Sequence, residues 1–272
     1  MRSQRDRLIR RGCKIAGHYL LQARISFGRL GEYARGYVMF LIWIPRLVSS
    51  LIRGDFRKSE QSSDRQGYNF LGWSNVLKVF YINLEHRTDR HELVLEALSS
   101  IQVKAPQRIA GKLRSNGALG CALSHIEAIQ ALIDQNVGLG MICEDDIDFM
   151  GGVEELEILL DSFMNTPNLG VLCLANRIRG PFFPVNQELA VSNNIQMAAC
   201  YVVKPHALSA LHESFSNSAR QLEAGVSVSS ASIDQLWKQV QTSGPYFAVP
   251  RKKFAFQRES YSDIVGTVKD YN

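Results

Sequence analysis

Leu139-Gly140-Met141-Ile142-Cys143-Glu144-Asp145-Asp146-Ile147-Asp148-Phe149 passes within one residue from an apolar run to three consecutive carboxylates. The five mostly apolar residues have the length of a short buried strand. The chain then leaves that strand at Glu144, Asp145 and Asp146. In open α/β sheets, ligands bind beyond the carboxyl ends of the strands. Three adjacent carboxylates repel one another, and a bound cation offsets that repulsion. Their oxygen donors suit Mg²⁺ or Mn²⁺. Strand alternation sends Glu144 and Asp146 to one side and Asp145 to the other. A solvated acidic loop is the competing reading of this stretch alone.

Working outward, residues 77–84 are the first core strand, and Asp89 is placed to cap a helix that runs to Ile101. Residues 106–111 suggest a second short strand, followed by a polar loop over 112–117. Leu119, Leu123, Ile126 and Ile133 recur at helical spacing and give a helix over 118–135. Beyond the acidic stretch, 153–164 reads as a helix and 171–175 as a strand. Residues 176–196, with Gly180, Pro181 and Pro184, read as a long loop near the site. A strand at 197–203, a helix opened by Pro205 and a helix over 231–241 follow. The tail is aromatic, basic and irregular. Strands alternating with helices predict an α/β fold with a mainly parallel central sheet. No Gly-x-Gly-x-x-Gly and no P-loop is present, which disfavours dinucleotide and P-loop enzymes. The absence of a Gly-x-Ser-x-Gly elbow disfavours a Ser-His-Asp hydrolase.

The 272 residues suit one large domain with an appendage. The net charge of +5 is unevenly spread. Residues 1–60 hold 13 Lys/Arg against 4 Asp/Glu, which leaves 18 and 22 for the rest. That segment also carries the apolar run 37–44, broken by Pro45 and Arg46 before 47–52 resumes it. The run is too short for a bilayer, which needs about 20 apolar residues. It sits too far from Met1 for a signal peptide. A basic, aromatic helical segment lying in an anionic membrane interface fits better. A helical hairpin packed on the body or on another subunit is the alternative. No nucleic-acid recognition module is seen. Residues 61–75 read as a polar linker, leaving 76–272 as the main domain.

The five cysteines form no Cys-x-x-Cys pair. Buried free thiols in a reducing compartment explain them best, and a zinc site is disfavoured. No Asn-x-Ser/Thr acceptor occurs, in keeping with a cytosolic face.

Three stretches now point the same way. Tyr81-Ile82-Asn83-Leu84-Glu85-His86-Arg87-Thr88-Asp89-Arg90 resembles the opening of glycosyltransferase family 25, "INL-x-x-R-x-D-R". Gly117 to His125 is similar to its "G-x-x-G-C-x-x-S-H" element, and Glu144-Asp145-Asp146 to its acidic motif. Ala198 to Val203, Ser232 to Leu236, and Gln257 with Ser260 to Ile264 resemble later elements in the same order. The resemblance spans roughly 76–265 and leaves out the N-terminal 75 residues. The loop between Ile109 and Gly117 is short, and Cys200 stands where the family often has a small residue.

The resemblance implies a single GT-A-like nucleotide-sugar-binding domain that transfers a hexose, galactose first, from a UDP-sugar. The acceptor is then a hydroxyl of a glycan, glycolipid or protein. Cleaving the sugar–phosphate bond leaves a diphosphate whose charge a divalent ion, Mn²⁺ or Mg²⁺, stabilises as a Lewis acid. Asp146 is the first choice of metal ligand, then Glu144, with Asp234 the remote carboxylate that completes the shell or orients the acceptor. Asp145 is suited to ribose. Asn83, Arg87 and Arg90 follow the first strand, where uracil or phosphate is met, and Arg87 offers a guanidinium fork. Ser124 and His125 face the nucleotide across the cleft. Transfer with inversion requires a general base, for which Asp145, Asp148 and Asp234 remain open. The alternative is a non-catalytic scaffold on the same fold, tethered to a membrane or partner. The acidic cluster favours the enzyme, because a scaffold does not need it.

Overall fold

The computed structural model describes residues 72–262 and 267–269. The basic segment 1–60 and most of the linker lie outside the described residues. The elements in order are α1 (Trp73–Val76), β1 (Leu77–Asn83), α2 (Thr88–Ser100), β2 (Gln107–Ala110), α3 (Gly117–Asp134), β3 (Leu139–Glu144), β4 (Ile147–Phe149), α4 (Val153–Met164), β5 (Leu169–Ile178), β6 (Phe182–Pro184), β7 (Leu189–Ser192), β8 (Ile195–Val203), α5 (Pro205–Glu223), α6 (Val228–Ala231), α7 (Ile233–Ser243), β9 (Tyr246–Pro250), β10 (Ala255–Gln257), β11 (Ser260–Ser262) and β12 (Thr267–Lys269).

Eight strands form one sheet in the order β2-β1-β3-β8-β5-β9-β7-β6. The sheet is mixed rather than mainly parallel. β1 pairs in parallel with β2 and β3, and β5 with β9. The other four pairings are antiparallel, because β8 inserts between β3 and β5 and the β6–β7 hairpin closes one edge. That hairpin occupies the stretch expected to be a loop. The tail likewise supplies β9 and β10, which its irregular composition hid.

Alternating strand residues feed two cores. Val79, Tyr81, Met141 and Cys143 pack on one face with Val94 and Leu98 of α2 and Leu160 and Phe163 of α4. Phe80, Ile82 and Ile142 pack on the other with Ile129 and Leu132 of α3, Phe215 of α5 and Trp237 of α7. The sheet is thus the middle of three layers, as period-2 strands buried on both faces require.

Helix starts follow local chemistry. Asn116 caps α3 by accepting from the backbone N–H groups of Ala118 and Leu119. Pro205 sits in the first turn of α5, where its missing N–H costs nothing. The expected Asp89 cap is not made. Asp89 lies inside the first turn of α2, with Arg87 at the N-cap position. The helix begins one residue before Asp89, so its carboxylate turns to the Arg87 guanidinium instead.

Two ties place the site. Trp237 Nε1 and Gln241 Nε2 both donate to the Ile195 carbonyl, at 2.9 Å each, and Gln241 Oε1 accepts from the Ile195 N–H at 2.9 Å. This clasp fixes α7 against the start of β8. β10 pairs with β4, and the Arg258 N–H donates to the Asp146 carbonyl at 2.7 Å, bringing the C-terminal segment across the acidic turn.

Candidate active site

β1, β2 and β3 are parallel, so their carboxyl ends, Asn83, Ala110 and Glu144, lie on one edge of the sheet. A cleft opens there, walled by the 111–117 loop and the first turns of α3, with Arg90 and Gln257 at its sides and the three acids at its base.

The acids divide as strand alternation demands. Asp145 turns towards β1 and α2. Asn83 Nδ2 donates to its Oδ2 at 2.8 Å, and Arg90 Nη1 to its Oδ1 at 2.9 Å. Asp146 and Glu144 turn the other way and share one donor, Gln257 Nε2, at 3.0 and 3.3 Å. Arg90 Nη1 also stands 3.6 Å from Asp146. Asp145 and Asp146 are both buried. Burial, followed by the charge of Glu144, pushes the Asp146 carboxyl up to about 7. Burial likewise raises Asp145, against the pull of Arg90 and Asn83.

Glu144 behaves differently. Burial works to raise its carboxyl too, but the His125 bond and charge, the Cys121 bond and Arg90 outweigh it and hold the group below its ordinary range. His125 is fully buried on α3. Its Nε2 meets Glu144 Oε1 at 3.3 Å, and its Nδ1 meets the Tyr201 hydroxyl at 3.1 Å. Cys121 lies one turn earlier on the same helix face and donates to the same Oε1 at 3.5 Å.

Ser124 lines the cleft, yet its hydroxyl is committed to the backbone. It accepts from the Lys112 N–H and donates to the Gly120 carbonyl, both at 2.8 Å. Gly120 is required beside it, because a Cβ there would lie 2.2 Å from the Lys112 carbonyl oxygen. Gly120 and Ser124 thus form a seat on which the 111–117 loop docks. The loop carries Lys112 and Arg114 to the cleft wall.

The remaining candidates stand apart from this centre. Arg87 forks onto Asp89, at 3.0 and 2.9 Å, and is not on the cleft wall. Asp148 accepts from the Phe149 N–H at 2.9 Å and from Arg258 Nε at 3.0 Å. Asp234 accepts from Ser232 Oγ at 2.7 Å and from the Met197 N–H at 3.4 Å. Met197 has φ +74°, a backbone region that non-glycine residues rarely adopt. Asp234 is close enough to Cys121 that, after burial and Glu144, its charge helps hold that thiol well above its ordinary range.

Sequence reasoning missed Gln257 and Tyr201 as members of the site. Gln257 lay in a stretch matched by resemblance, with no chemistry to single it out. Tyr201 lay in a strand where any large residue reads as core.

A divalent cation fits the acid pair. Asp146 Oδ1 is buried with no hydrogen-bond partner among the described residues, and the facing Glu144 charge opposes ionisation of Asp146 unless a cation or proton intervenes.

The solved structure of a glycosyltransferase involved in glycosylating the major capsid of PBCV-1 is 10% identical, with a TM-score of 0.45 over 69% of this chain and 94% of that one. A mannose-1-phosphate geranyltransferase from Thermus thermophilus is 11% identical, with a TM-score of 0.39 over 66% and 75%. Neither likeness speaks to what this chain binds. No curated protein matches. Residues 99–169 match the model of glycosyltransferase family 25, described as LPS biosynthesis protein. That stretch holds the Cys121–Ser124–His125 helix face and the strand ending in Glu144-Asp145-Asp146, so it is over these site elements that the chain is similar to the family.

Proposed function

We propose that the protein is a metal-dependent hexosyltransferase that moves a sugar, galactose first, from a UDP-sugar to a hydroxyl of a glycan, glycolipid or protein-linked acceptor. The observation that carries this reading is the convergence of Glu144 and Asp146 on the single donor Gln257 Nε2 at the base of a cleft whose acids lie in the family-matched stretch. The association of the matched family with LPS biosynthesis supports a lipopolysaccharide-type acceptor. A GT-A-like arrangement suits the carboxyl-edge position of the acids.

In transfer, the bond between the anomeric carbon and the phosphate oxygen breaks. The acceptor oxygen forms the new bond, and its proton passes to a base. Glu144 and Asp146 would hold Mn²⁺ or Mg²⁺, which supplies Lewis-acid stabilisation of the leaving diphosphate. Arg90 ties Asp145 and stands beside Asp146, so it keeps the acids oriented. Arg114 brings positive charge to the cleft wall, where phosphates are favoured, while the Lys112 ammonium is paired with Glu127. Asp145 has lone pairs left for a ribose hydroxyl. Asp234, held by Ser232 Oγ and the Met197 N–H, is a candidate base for the acceptor, as is Asp145. Asp148 is tied to Arg258.

The test is thermal stabilisation by a panel of nucleotide-sugars with Mn²⁺, followed by transfer assays on the stabilising donor. Tight donor binding raises the melting midpoint by mass action. Stabilisation by a UDP-sugar that vanishes with chelator supports the reading. A preference for another nucleotide, or equal binding without metal, overturns it.

A further inference from the structure

We propose that Cys121, His125 and Glu144 form a second metal site, selective for a thiophilic ion such as Zn²⁺ and sharing the Glu144 carboxylate with the seat of the hard cation at Glu144 and Asp146. The sequence argued against zinc because no cysteine is paired in a close motif. The ligand set is instead assembled in space, from one helix face and one strand end.

The three donor atoms lie within 4.8 Å of one another. His125 Nε2 is 3.3 Å and Cys121 Sγ 3.5 Å from the same oxygen, Glu144 Oε1. Zinc bonds of about 2.0–2.3 Å at tetrahedral angles put ligand atoms roughly 3.4–3.6 Å apart. Both separations are therefore close to those of a tetrahedral edge, and the Sγ–Nε2 edge is within 4.8 Å. A residue pair at i and i+4 on one helix face is the arrangement by which helices present two metal ligands.

The outer contacts fit as well. A metal-bound histidine is usually oriented through its other ring nitrogen. Here that nitrogen meets the Tyr201 hydroxyl at 3.1 Å, and the ring stacks on Tyr201 with centroids 5.8 Å apart. All three ligands line the cleft, which is the side from which an ion would reach them. Glu144 presents Oε1 to this site and Oε2 to Gln257 on the Asp146 side. Thiolate and imidazole select a soft or borderline ion, whereas the carboxylates alone suit Mg²⁺ or Mn²⁺. Binding replaces the Cys121 S–H and the His125 Nε2–H by bonds to the metal. The thiol proton is released to solvent, and the imidazole takes the tautomer protonated at Nδ1, which then donates to Tyr201.

The experiment titrates the full chain with Co²⁺ as a spectroscopic stand-in for Zn²⁺. One equivalent should produce a thiolate-to-metal charge-transfer absorption that Zn²⁺ abolishes and excess Mg²⁺ leaves unchanged. Cys121→Ser should lose the absorption and weaken Zn²⁺ binding by at least about tenfold. Cys13→Ser should keep both. In the unmutated chain, Zn²⁺ should protect Cys121 from alkylation, which does not depend on how any variant folds. No thiolate absorption, its persistence in Cys121→Ser, or unprotected Cys121 at saturating Zn²⁺ overturns the site. None of these readouts requires transfer activity, so they stand or fall apart from the donor chemistry.

Discussion

Gln257 Nε2 donates to Asp146 Oδ2 at 3.0 Å, joining residues 111 positions apart in the chain. The same nitrogen reaches Glu144 Oε2 at 3.3 Å. One neutral amide thus spans two carboxylates that the backbone forces together. Gln257 arrives on β10, whose pairing with β4 and whose neighbouring Arg258 N–H hold it over the acidic turn. Gln257→Ala leaves both acids without this donor. Loss of such an orienting partner typically costs about 10–100-fold in metal affinity, so we expect Mn²⁺ activation to shift upward by about that factor while circular dichroism stays native. An unchanged Mn²⁺ titration refutes the role.

The Asp146 carboxyl gives a pH signature. It is held up to about 7 in the fold, against 3.8 ordinarily. Between those values the native chain binds more protons than the unfolded one, so stability falls as pH rises. The contribution is fully present below 3.8 and gone once pH has passed 7. A shift of about three units corresponds to at most about 4 kcal/mol. Metal-free protein should therefore lose melting temperature from about pH 5 to 7.5 relative to Asp146→Asn, which lacks the titrating group. Mn²⁺ should restore the wild type at the upper end, since it favours the ionised pair. Parallel profiles for the two proteins without metal would contradict this assignment.

Arg90 is the cation of the buried cluster, with its side chain 10% exposed and Asp145 and Asp146 both beside it. Removing one partner of a buried pair leaves an uncompensated charge and costs about 3–5 kcal/mol. Arg90→Met should unfold at correspondingly lower denaturant with an unchanged slope. Arg87→Ala, one turn earlier, should cost under about 1 kcal/mol, because its Asp89 partner is exposed. Comparable losses in the two variants would mean that the buried pair is not what holds this corner together.

The N-terminal segment carries a different kind of expectation, one that rests on sequence alone. Its 13 Lys/Arg against 4 Asp/Glu contrast with the acidic excess of the remainder. Among the described residues no helix is long and apolar enough to cross a membrane. Each basic residue near an anionic surface contributes about 1 kcal/mol, so we propose a peripheral, cytosol-facing enzyme with a membrane-linked acceptor. Sedimentation with anionic liposomes should decline with salt and disappear on deleting residues 1–60. Binding that survives both salt and the deletion rules this out.

Much of the site was legible because its chemistry is local. Glu144, Asp145 and Asp146 are consecutive, and strand alternation divided them before any contact was known. The helices over 117–134 and 153–164 followed from apolar spacing. What stayed hidden depended on partners distant in sequence. β8 lies antiparallel between β3 and β5, which an alternating strand–helix pattern does not reveal. β6, at the edge of the sheet, and β7 beside it are short strands of three and four residues in a stretch whose Gly and Pro read as loop. Ser124 looked like a ligand contact by type. The backbone it holds, the Lys112 N–H, belongs to a loop that the sequence could not dock.

That docking makes Gly120 a test of how the loop serves the cleft. A methyl group there would stand 2.2 Å from the Lys112 carbonyl oxygen, a backbone atom that cannot rotate away. The helix would otherwise gain from alanine, by about 1 kcal/mol. Crowding in a packed contact costs about 1–3 kcal/mol, so Gly120→Ala should be neutral to destabilising, against the helix preference. The loop must lift, drawing the Lys112 N–H from Ser124 and displacing Lys112 and Arg114 from the wall. Donor affinity should then fall several-fold more than stability predicts, and Ser124→Ala should reproduce the loss in milder form. If Gly120→Ala instead stabilises the protein and leaves donor binding unchanged, the loop does not depend on this seat.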